Sequence, residues 1–432
     1  MLILVAFLYV VVPIAQFILF LMDLPFFRLF DTINYFFAIV SYYWIFNHIL
    51  ITIKIPFMQK YFPYDKLVKF HVITGTSLII AMAYHVLYKI FAGKMIDLLS
   101  WGLLILFVGL FTLAILWIEA PIFRRFRRKV LQKTKQTRIA RYEILKVIHG
   151  YLFAGMGILS FIHILRADML DSSYLFAAIY PLIHLIIVLS LFLFSKIRKL
   201  WLPRFSLISN ESVQDTSILT FNPTASRPRL RSHLGISYSA GQFGYLSWRS
   251  PGLPKQEHPF SFLSAPADSG ISLGIKGLGD YTDSISSIPP GSVARINGGF
   301  GNFVPDYHKG KVCLIGSGIG IVPLVSLIRD MLTNPPMYKV DAFLSVNNRD
   351  ELLAESDLLA VAKAVPQLNL HLYVFQEDAV LYSGELLKSV LAIPQEYSYY
   401  ICSSPNVRKI LLGALTDMSV KKRQIYFEAF SY

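Results

Sequence analysis

The chain has 432 residues, of which 54% are hydrophobic, and it carries a formal net charge of +14. Its mean hydropathy of +0.52 is too high for a soluble protein, and nearly all of the excess lies before residue 196. The positive charge does not indicate nucleic acid as a partner, because the densest basic segment, 124–141, lies between two apolar runs. The two cysteines, Cys313 and Cys402, exclude a disulfide framework and indicate a reducing compartment.

Six apolar stretches are each about 20 residues long, which is enough to cross the hydrocarbon core of a bilayer. They cover residues 2–22, 33–53, 67–91, 101–119, 144–165 and 174–194. We interpret the first as a retained span, since it has no basic leader or small-residue cleavage site. Lysine and arginine are concentrated after the second, fourth and sixth stretches. The positive-inside rule therefore predicts an integral protein of the cell membrane with both termini in the cytosol.

Four histidines in these spans form two pairs of equal spacing, His71 with His85 and His149 with His163. A spacing of 14 residues is close to four helical turns, so both rings of a pair leave one helix face about 21 Å apart. The predicted topology makes the third and fifth spans parallel. His71 and His149 then form an inner pair near the cytosol, and His85 and His163 form an outer pair.

Two opposed imidazoles at each level predict one haem between the inner pair and a second haem between the outer pair. No cysteine or carboxylate joins the four rings to favour zinc or a di-iron centre. The alternative is a set of separate buried histidines that only form hydrogen bonds. We give that interpretation to His48 and His184, because neither has a partner at the same spacing.

The polar part of the chain begins after residue 204 with short β-like runs, which predict a small barrel or sandwich up to about residue 305. Beyond it, strands alternate with helices, which predicts a parallel α/β sheet with right-handed crossovers. The first of these strands ends in a glycine loop at Gly316, Gly318 and Gly320, where a helix N-terminus can hold a pyrophosphate. The loop departs from the G-x-G-x-x-G pattern, and a plain tight turn is the alternative.

These features and two further motifs make the chain resemble the transmembrane flavocytochrome superfamily of NADPH oxidases and ferric reductases over nearly its whole length. The four paired histidines match the haem ligands of that family. Its HPFS/T flavin motif is matched by His258, Pro259, Phe260 and Ser261. The resemblance implies that this motif lines the isoalloxazine and that its hydroxyl hydrogen-bonds near the reactive nitrogen; a proline-edged barrel strand is the alternative. The segment KGLGDYT resembles the turn against the flavin pyrophosphate and supplies Lys276, Gly277 and Thr282.

The resemblance also implies a nucleotide site. Gly316, Gly318, Gly320 and Pro323 fit the family's nicotinamide-nucleotide loop, which accounts for the departure from the common pattern. The run from Cys402 to Pro405 resembles its Cys-Gly-x-Pro loop, with Ser403 where glycine is usual. Cys402 is expected to shape the hydride-transfer pocket rather than to act as a nucleophile; the alternative is a buried small residue at a strand end.

Two further residues have open interpretations. Phe430 lies where relatives have an aromatic ring stacked on the flavin, and Tyr432 is a rival for that role. Arg349 is either a contact for the 2′-phosphate of NADPH or a solvated loop charge, so the coenzyme is NADPH or NADH.

The implied architecture is a multi-domain membrane protein with a six-helix, two-haem bundle at 1–200 and a ferredoxin-reductase-like module. That module consists of an FAD-binding β-barrel at 201–307 and an NAD(P)H-binding α/β domain at 308–432. The implied reaction carries electrons from cytosolic NAD(P)H through FAD and two b-type haems to an acceptor across the membrane. Oxygen, giving superoxide, is preferred over a ferric chelate or a protein partner. A cytochrome b subunit without reductase activity is a further alternative, and the oligomeric state is open.

Overall fold

The computed structural model describes residues 5–22, 28–52, 64–94, 97–117, 142–166, 175–224, 236–254, 256–378, 387 and 389–428. The chain divides into two compact units, Met1–Leu200 and Trp201–Tyr432. The division falls where the apolar part of the sequence ends.

Apolar helices make up the described part of the first unit. They are α1 (Val12–Met22, preceded by the π-helical turn Phe7–Val11), α2 (Leu29–Thr52), α3 (Tyr64–Phe91), α4 (Leu98–Trp117), α5 (Tyr142–Arg166) and α6 (Leu175–Leu200). Each overlaps one of the apolar stretches of the sequence. Three contain segments that are long and apolar enough to cross a membrane, namely Leu67–Phe91, Val147–Arg166 and Ile179–Arg198. The count of six spans stays a prediction, and the basic segment 124–141 lies outside the described residues.

Helix α2 packs against α1, α3, α5 and α6. Its side chains also donate hydrogen bonds to backbone carbonyl groups of the π-helical turn. The Trp44 indole donates to the carbonyl oxygen of Tyr9 at 2.8 Å, and the Asn47 amide donates to that of Leu8 at 2.7 Å. These bonds fix the turn, with its widened backbone, against the central helix.

The second unit begins with an antiparallel sheet of six strands in the order β4-β3-β6-β1-β2-β5. The strands are β1 (Arg204–Val213), β2 (Thr216–Pro223), β3 (Phe243–Trp248), β4 (His258–Ser261), β5 (Ile271–Lys276) and β6 (Val293–Phe300), with the short helix α7 (Asp280–Asp283) between β5 and β6. A bridge between Phe262 and Leu273 joins the two edges and closes the sheet around buried Phe205, Phe221 and Trp248. The predicted small barrel is confirmed.

The rest of this unit is a parallel sheet of five strands in the order β11-β10-β7-β8-β9. The elements are β7 (Lys311–Ser317), α8 (Ile321–Asp330), β8 (Val340–Val346), α9 (Glu355–Ala364), β9 (Leu368–Val374), α10 (Phe375–Asp378), β10 (Tyr397–Cys402), α11 (Pro405–Asp417) and β11 (Ile425–Glu428). The predicted α/β sheet is confirmed, and with the barrel it forms a ferredoxin-reductase-like module. Half of the helix predicted from GELLKSVL lies outside the described residues, and residues 387, 389 and 390 are helical.

A fully buried carboxylate, Asp341, lies near the amino end of β8. It accepts hydrogen bonds from the Tyr397 hydroxyl at 2.8 Å and the Asn369 amide at 2.9 Å, and Lys339 Nζ lies 3.3 Å away. Burial alone would raise the pKa of Asp341, but these groups and His371 stabilise the charged form and hold the pKa at about 2.

Replacing Asp341 with alanine should lower the free energy of unfolding at pH 7 by about 3 kcal/mol, because the buried Tyr397 hydroxyl and the half-buried Asn369 amide lose their acceptor. The folded-state pKa of about 2 lies below the ordinary value of 3.8. The stabilisation is therefore complete above about pH 4 and is lost as the pH falls toward the folded-state pKa. Thermal unfolding of the full chain in detergent, at pH 7 and at a pH near the folded-state pKa, measures this loss of stability. The exposed Asp350→Ala is the control, and an equal effect of both substitutions would contradict the prediction.

Candidate functional site

The inner pair of histidines is brought together between α3 and α5. The ring centroids of His71 and His149 are 6.3 Å apart, and their planes are inclined at 83°. Two imidazoles bonded to one iron from opposite sides would have centroids about 6 Å apart, since a metal–imidazole bond is about 2 Å long. The separation therefore fits two axial ligands of a single iron. The neighbouring ring of His48 is engaged elsewhere, with the Trp44 carbonyl at 2.6 Å and the Thr74 hydroxyl at 2.9 Å.

Each ring of the outer pair is held through Nδ1. His85 Nδ1 lies 3.0 Å from Asn34 Oδ1, and His163 Nδ1 lies 3.3 Å from the Ser100 hydroxyl. That hydroxyl donates to Asp97 at 2.6 Å, so it accepts the hydrogen of His163. Both rings then carry their proton on Nδ1 and keep Nε2 as a free lone pair. Such fixing of the tautomer is the usual support of a metal-binding histidine.

The HPFS segment forms β4, which pairs with β3 in the barrel. The ring centroids of His258 and Tyr281 are 3.8 Å apart with the planes tilted by 32°, and Phe260 lies nearly parallel to Tyr281 at 6.3 Å. The Ser261 hydroxyl is buried and has no hydrogen-bond partner in the described part of the chain. Aromatic rings and a buried, unpaired hydroxyl in one strand are groups that a planar, polar-edged ligand such as a flavin can contact. Pro259 lies opposite Tyr245 in this pair of strands.

The segment KGLGDYT turns sharply after β5 and is held by its own hydrogen bonds. The Thr282 hydroxyl accepts from the amide of Leu278 at 2.8 Å and donates to the carbonyl of Gly279 at 3.0 Å. A Cβ at Gly277 would lie 2.8 Å from an Asp283 oxygen, so a larger residue would open the turn. Lys276 pairs with Asp215 at 3.2 Å. A pyrophosphate would have to compete with that carboxylate for its ammonium group.

The glycine loop after β7 and the loop after β10 meet where the order of the parallel strands reverses. Gly318 has a φ of +55°, and a Cβ at Gly320 would lie 2.1 Å from the carbonyl oxygen of Cys402. Only glycine permits this approach. The buried Pro323 then lies in the first turn of α8, whose N-terminus faces the same edge of the sheet. This reversal of strand order is where doubly wound sheets bind nucleotides.

The loop after β10 keeps Cys402 fully buried. Burial raises the pKa of its thiol well above the ordinary value, so the group stays neutral. The hydroxyl of Ser404 accepts from the amide of Val407 at 3.4 Å and caps α11, which begins at Pro405. Gly316, at the end of β7, packs against Leu324.

Arg349 lies in the 3₁₀ turn Arg349–Glu351 after β8. Its guanidinium donates to both oxygens of Glu377, at 2.6 and 3.1 Å, and to Glu355 at 2.7 Å. The side chain is therefore paired, which neither interpretation of the sequence anticipated. The predicted flavin-stacking residues, Phe430 and Tyr432, lie outside the described residues.

Sequence reasoning missed the residues that support the predicted site. Asn34 and Ser100 could have been noticed as polar side chains at the ends of apolar spans. Asp215, Glu355 and Glu377 gave no local signal, because each meets its partner through the tertiary fold.

A family model and several related sequences match parts of this chain. The family model described as an FAD-binding domain matches residues 214–294. Respiratory burst oxidase homolog protein D of Arabidopsis thaliana is 32% identical over 139 residues, which cover 26% of this chain and 15% of that protein. The ferredoxin–NAD(P)(+) reductase component of the naphthalene 1,2-dioxygenase system of Pseudomonas putida is 22% identical over 230 residues, covering 50% of this chain and 69% of that protein.

Among solved structures, flavohemoglobin from Malassezia yamatoensis matches with a TM-score of 0.48 and 18% identity over 65% of this chain and 74% of that chain. The family assignment does not depend on this match. It depends on the FAD-binding domain and on the respiratory burst oxidases, which agree with the resemblance seen in the sequence. These matches support a place for the chain in the NADPH oxidase and ferric reductase superfamily of flavocytochromes.

Proposed function

We propose that this protein carries electrons from cytosolic NAD(P)H, through FAD and two b-type haems, to oxygen across the membrane, giving superoxide. The observation that carries the membrane half of this proposal is the 6.3 Å separation of the His71 and His149 rings. The flavin half is supported by the FAD-binding domain at 214–294 and by the likeness to respiratory burst oxidases.

When bound, FAD exchanges a hydride for single electrons, and the haems carry those electrons between the two sides. The residues of this chain bind and orient the reacting groups. The loop from Gly316 to Gly320 offers backbone amides and a helix N-terminus to the coenzyme pyrophosphate. The unpaired Ser261 hydroxyl can donate a hydrogen bond to the flavin edge. Cys402, buried and neutral, would shape the hydride-transfer pocket rather than act as a nucleophile.

Two histidines at each level determine how the acceptor is reduced. His71 with His149, and His85 with His163, would each hold one haem iron, so an acceptor would take electrons from the haem without binding to the iron. This arrangement favours outward electron transfer over oxygen binding at iron. At the outer level, Arg166 is paired with Asp97 at 3.7 Å, which reduces its attraction for an anionic ferric chelate.

Substitution of the paired histidines tests the haem assignment. We expect His163→Ala to lose the outer haem and His71→Ala to lose the inner haem, so that each variant keeps half of the haem per protein. The control is His184→Ala, because that ring is bonded to Asn47 at 3.1 Å and belongs to neither pair. Pyridine haemochrome analysis per mole of purified protein measures the ratio. Full haem content in His163→Ala, or loss in His184→Ala, would refute the assignment.

The acceptor is tested by comparing two assays of the purified protein. In air, we expect NAD(P)H oxidation to be accompanied by cytochrome c reduction that superoxide dismutase suppresses. Without oxygen, addition of a ferric chelate should restore little of the rate. Fast anaerobic turnover with the chelate, together with no dismutase-sensitive signal in air, would replace the oxidase with a ferric reductase.

A further inference from the structure

We propose that Asp97, acting through the Ser100 hydroxyl on His163, lowers the reduction potential of the outer haem below that of the inner haem. Asp97 is then a positioning residue for the last electron transfer. The inference rests on the proposed function, because it concerns a haem that His85 and His163 would hold. It follows from what the histidines of the two levels contact through Nδ1.

Asp97 and Ser100 are fixed by the start of helix α4. The amide and the hydroxyl of Ser100 both donate to Asp97 Oδ1, at 2.8 and 2.6 Å. The carboxylate therefore caps the first turn of the helix, whose positive end favours a negative charge. Because the single hydroxyl hydrogen of Ser100 points to this carboxylate, its oxygen offers only lone pairs to any other group.

The group that uses these lone pairs is His163, in the last turn of α5. Its Nδ1 lies 3.3 Å from the Ser100 oxygen, so its hydrogen is held there. The short bond to an ionised acceptor polarises the hydroxyl and makes its oxygen a stronger acceptor. This relay draws the imidazole hydrogen toward Ser100 and leaves more electron density on Nε2. The ring is therefore a better donor to a metal.

The inner level differs in the support of its α3 histidine. His71 Nδ1 is buried and has no hydrogen-bond partner among the residues that the structure describes. The α3 histidine of the outer level, His85, is held by the Asn34 oxygen at 3.0 Å. Oxidised haem iron carries one more positive charge than reduced iron, so better donor ligands stabilise the oxidised state and lower the potential. The outer haem is then harder to reduce and, once reduced, the stronger reductant.

The ion pair between Asp97 and Arg166 leaves this relay intact. Arg166 lies 3.7 Å from Asp97 Oδ2, whereas Ser100 donates to Oδ1. The two contacts therefore use different oxygens of the carboxylate. The Arg166 side chain is 65% exposed, and an exposed ion pair of this length is weak. The negative charge of Asp97 is thus still available to the hydroxyl.

The test is a redox titration of the purified full-length protein with dithionite and mediators, followed by haem absorbance. For the wild type, we expect two one-electron steps, of which His163→Ala loses the one at lower potential. Asp97→Asn should make the outer haem about tenfold easier to reduce, a shift of about 59 mV for a one-electron couple. Asparagine caps a helix about as well as aspartate, so this variant removes the charge and keeps the cap.

Two further variants separate the relay from charge acting through space. Ser100→Ala breaks the relay and keeps the carboxylate, so it should raise the same potential, and the double variant should not exceed Asp97→Asn. The control is Asp31→Asn, because that carboxylate accepts from Tyr88 at 2.9 Å and pairs with Lys94. It should leave both potentials unchanged. An outer potential that does not change in Asp97→Asn or in Ser100→Ala, or an equal shift in Asp31→Asn, would overturn the inference.

The chemical titration also separates this inference from the proposed reaction, since it uses neither flavin nor coenzyme. If the variants shift the outer potential but NAD(P)H does not reduce the haems, the inference holds and the proposed function fails. If NAD(P)H drives superoxide formation while the potentials of wild type and variants coincide, the proposed function holds and the inference fails.

Discussion

The approach of His71 and His149 depends on how closely α3 and α5 pack against the central helix α2. On the α5 side, a Cβ at Gly157 would lie 2.7 Å from the ring of Phe46, so glycine is what permits the contact. On the α3 side, the Thr74 hydroxyl bonds to His48 of α2 at 2.9 Å. One steric contact and one polar contact thus position the two helices that carry all four paired histidines. The separation of the His71 and His149 rings depends on how these contacts space the two helices.

The same principle of close backbone approach operates in the nucleotide-binding part of the second unit. Gly320 lies against the carbonyl of Cys402, which brings the glycine loop and the loop after β10 to one edge of the sheet. That contact joins the amides that can hold a pyrophosphate to the neutral thiol of the candidate hydride pocket. In the barrel, the Phe262–Leu273 bridge closes the sheet beside the β4 segment that carries Ser261. The candidate nucleotide site and the candidate flavin site therefore depend on backbone geometry more than on charged side chains.

Periodic features of the sequence predicted most of this architecture. The equal spacing of the histidine pairs, together with the parallel spans predicted from the loop charges, predicted that His71 and His149 share a level. The alternation of strands and helices after residue 311 predicted the parallel sheet, because a helix between two strands lets the second strand run parallel to the first. Partners supplied by distant segments could not be predicted. Asn34 contacts His85 from another helix, and Glu377 contacts Arg349 from the short helix α10 after β9. Both contacts therefore depend on tertiary packing.

Anaerobic mixing of the purified protein with NADH or NADPH as the sole donor tests the electron path most directly. The account predicts that the flavin band bleaches and that reduced haem bands then appear, with both haems reduced at the end of the reaction. Bleaching of the flavin while the haems stay oxidised would contradict a path that joins the two units. Absence of haem from the protein as purified from haem-replete cells would contradict the role given to the paired histidines.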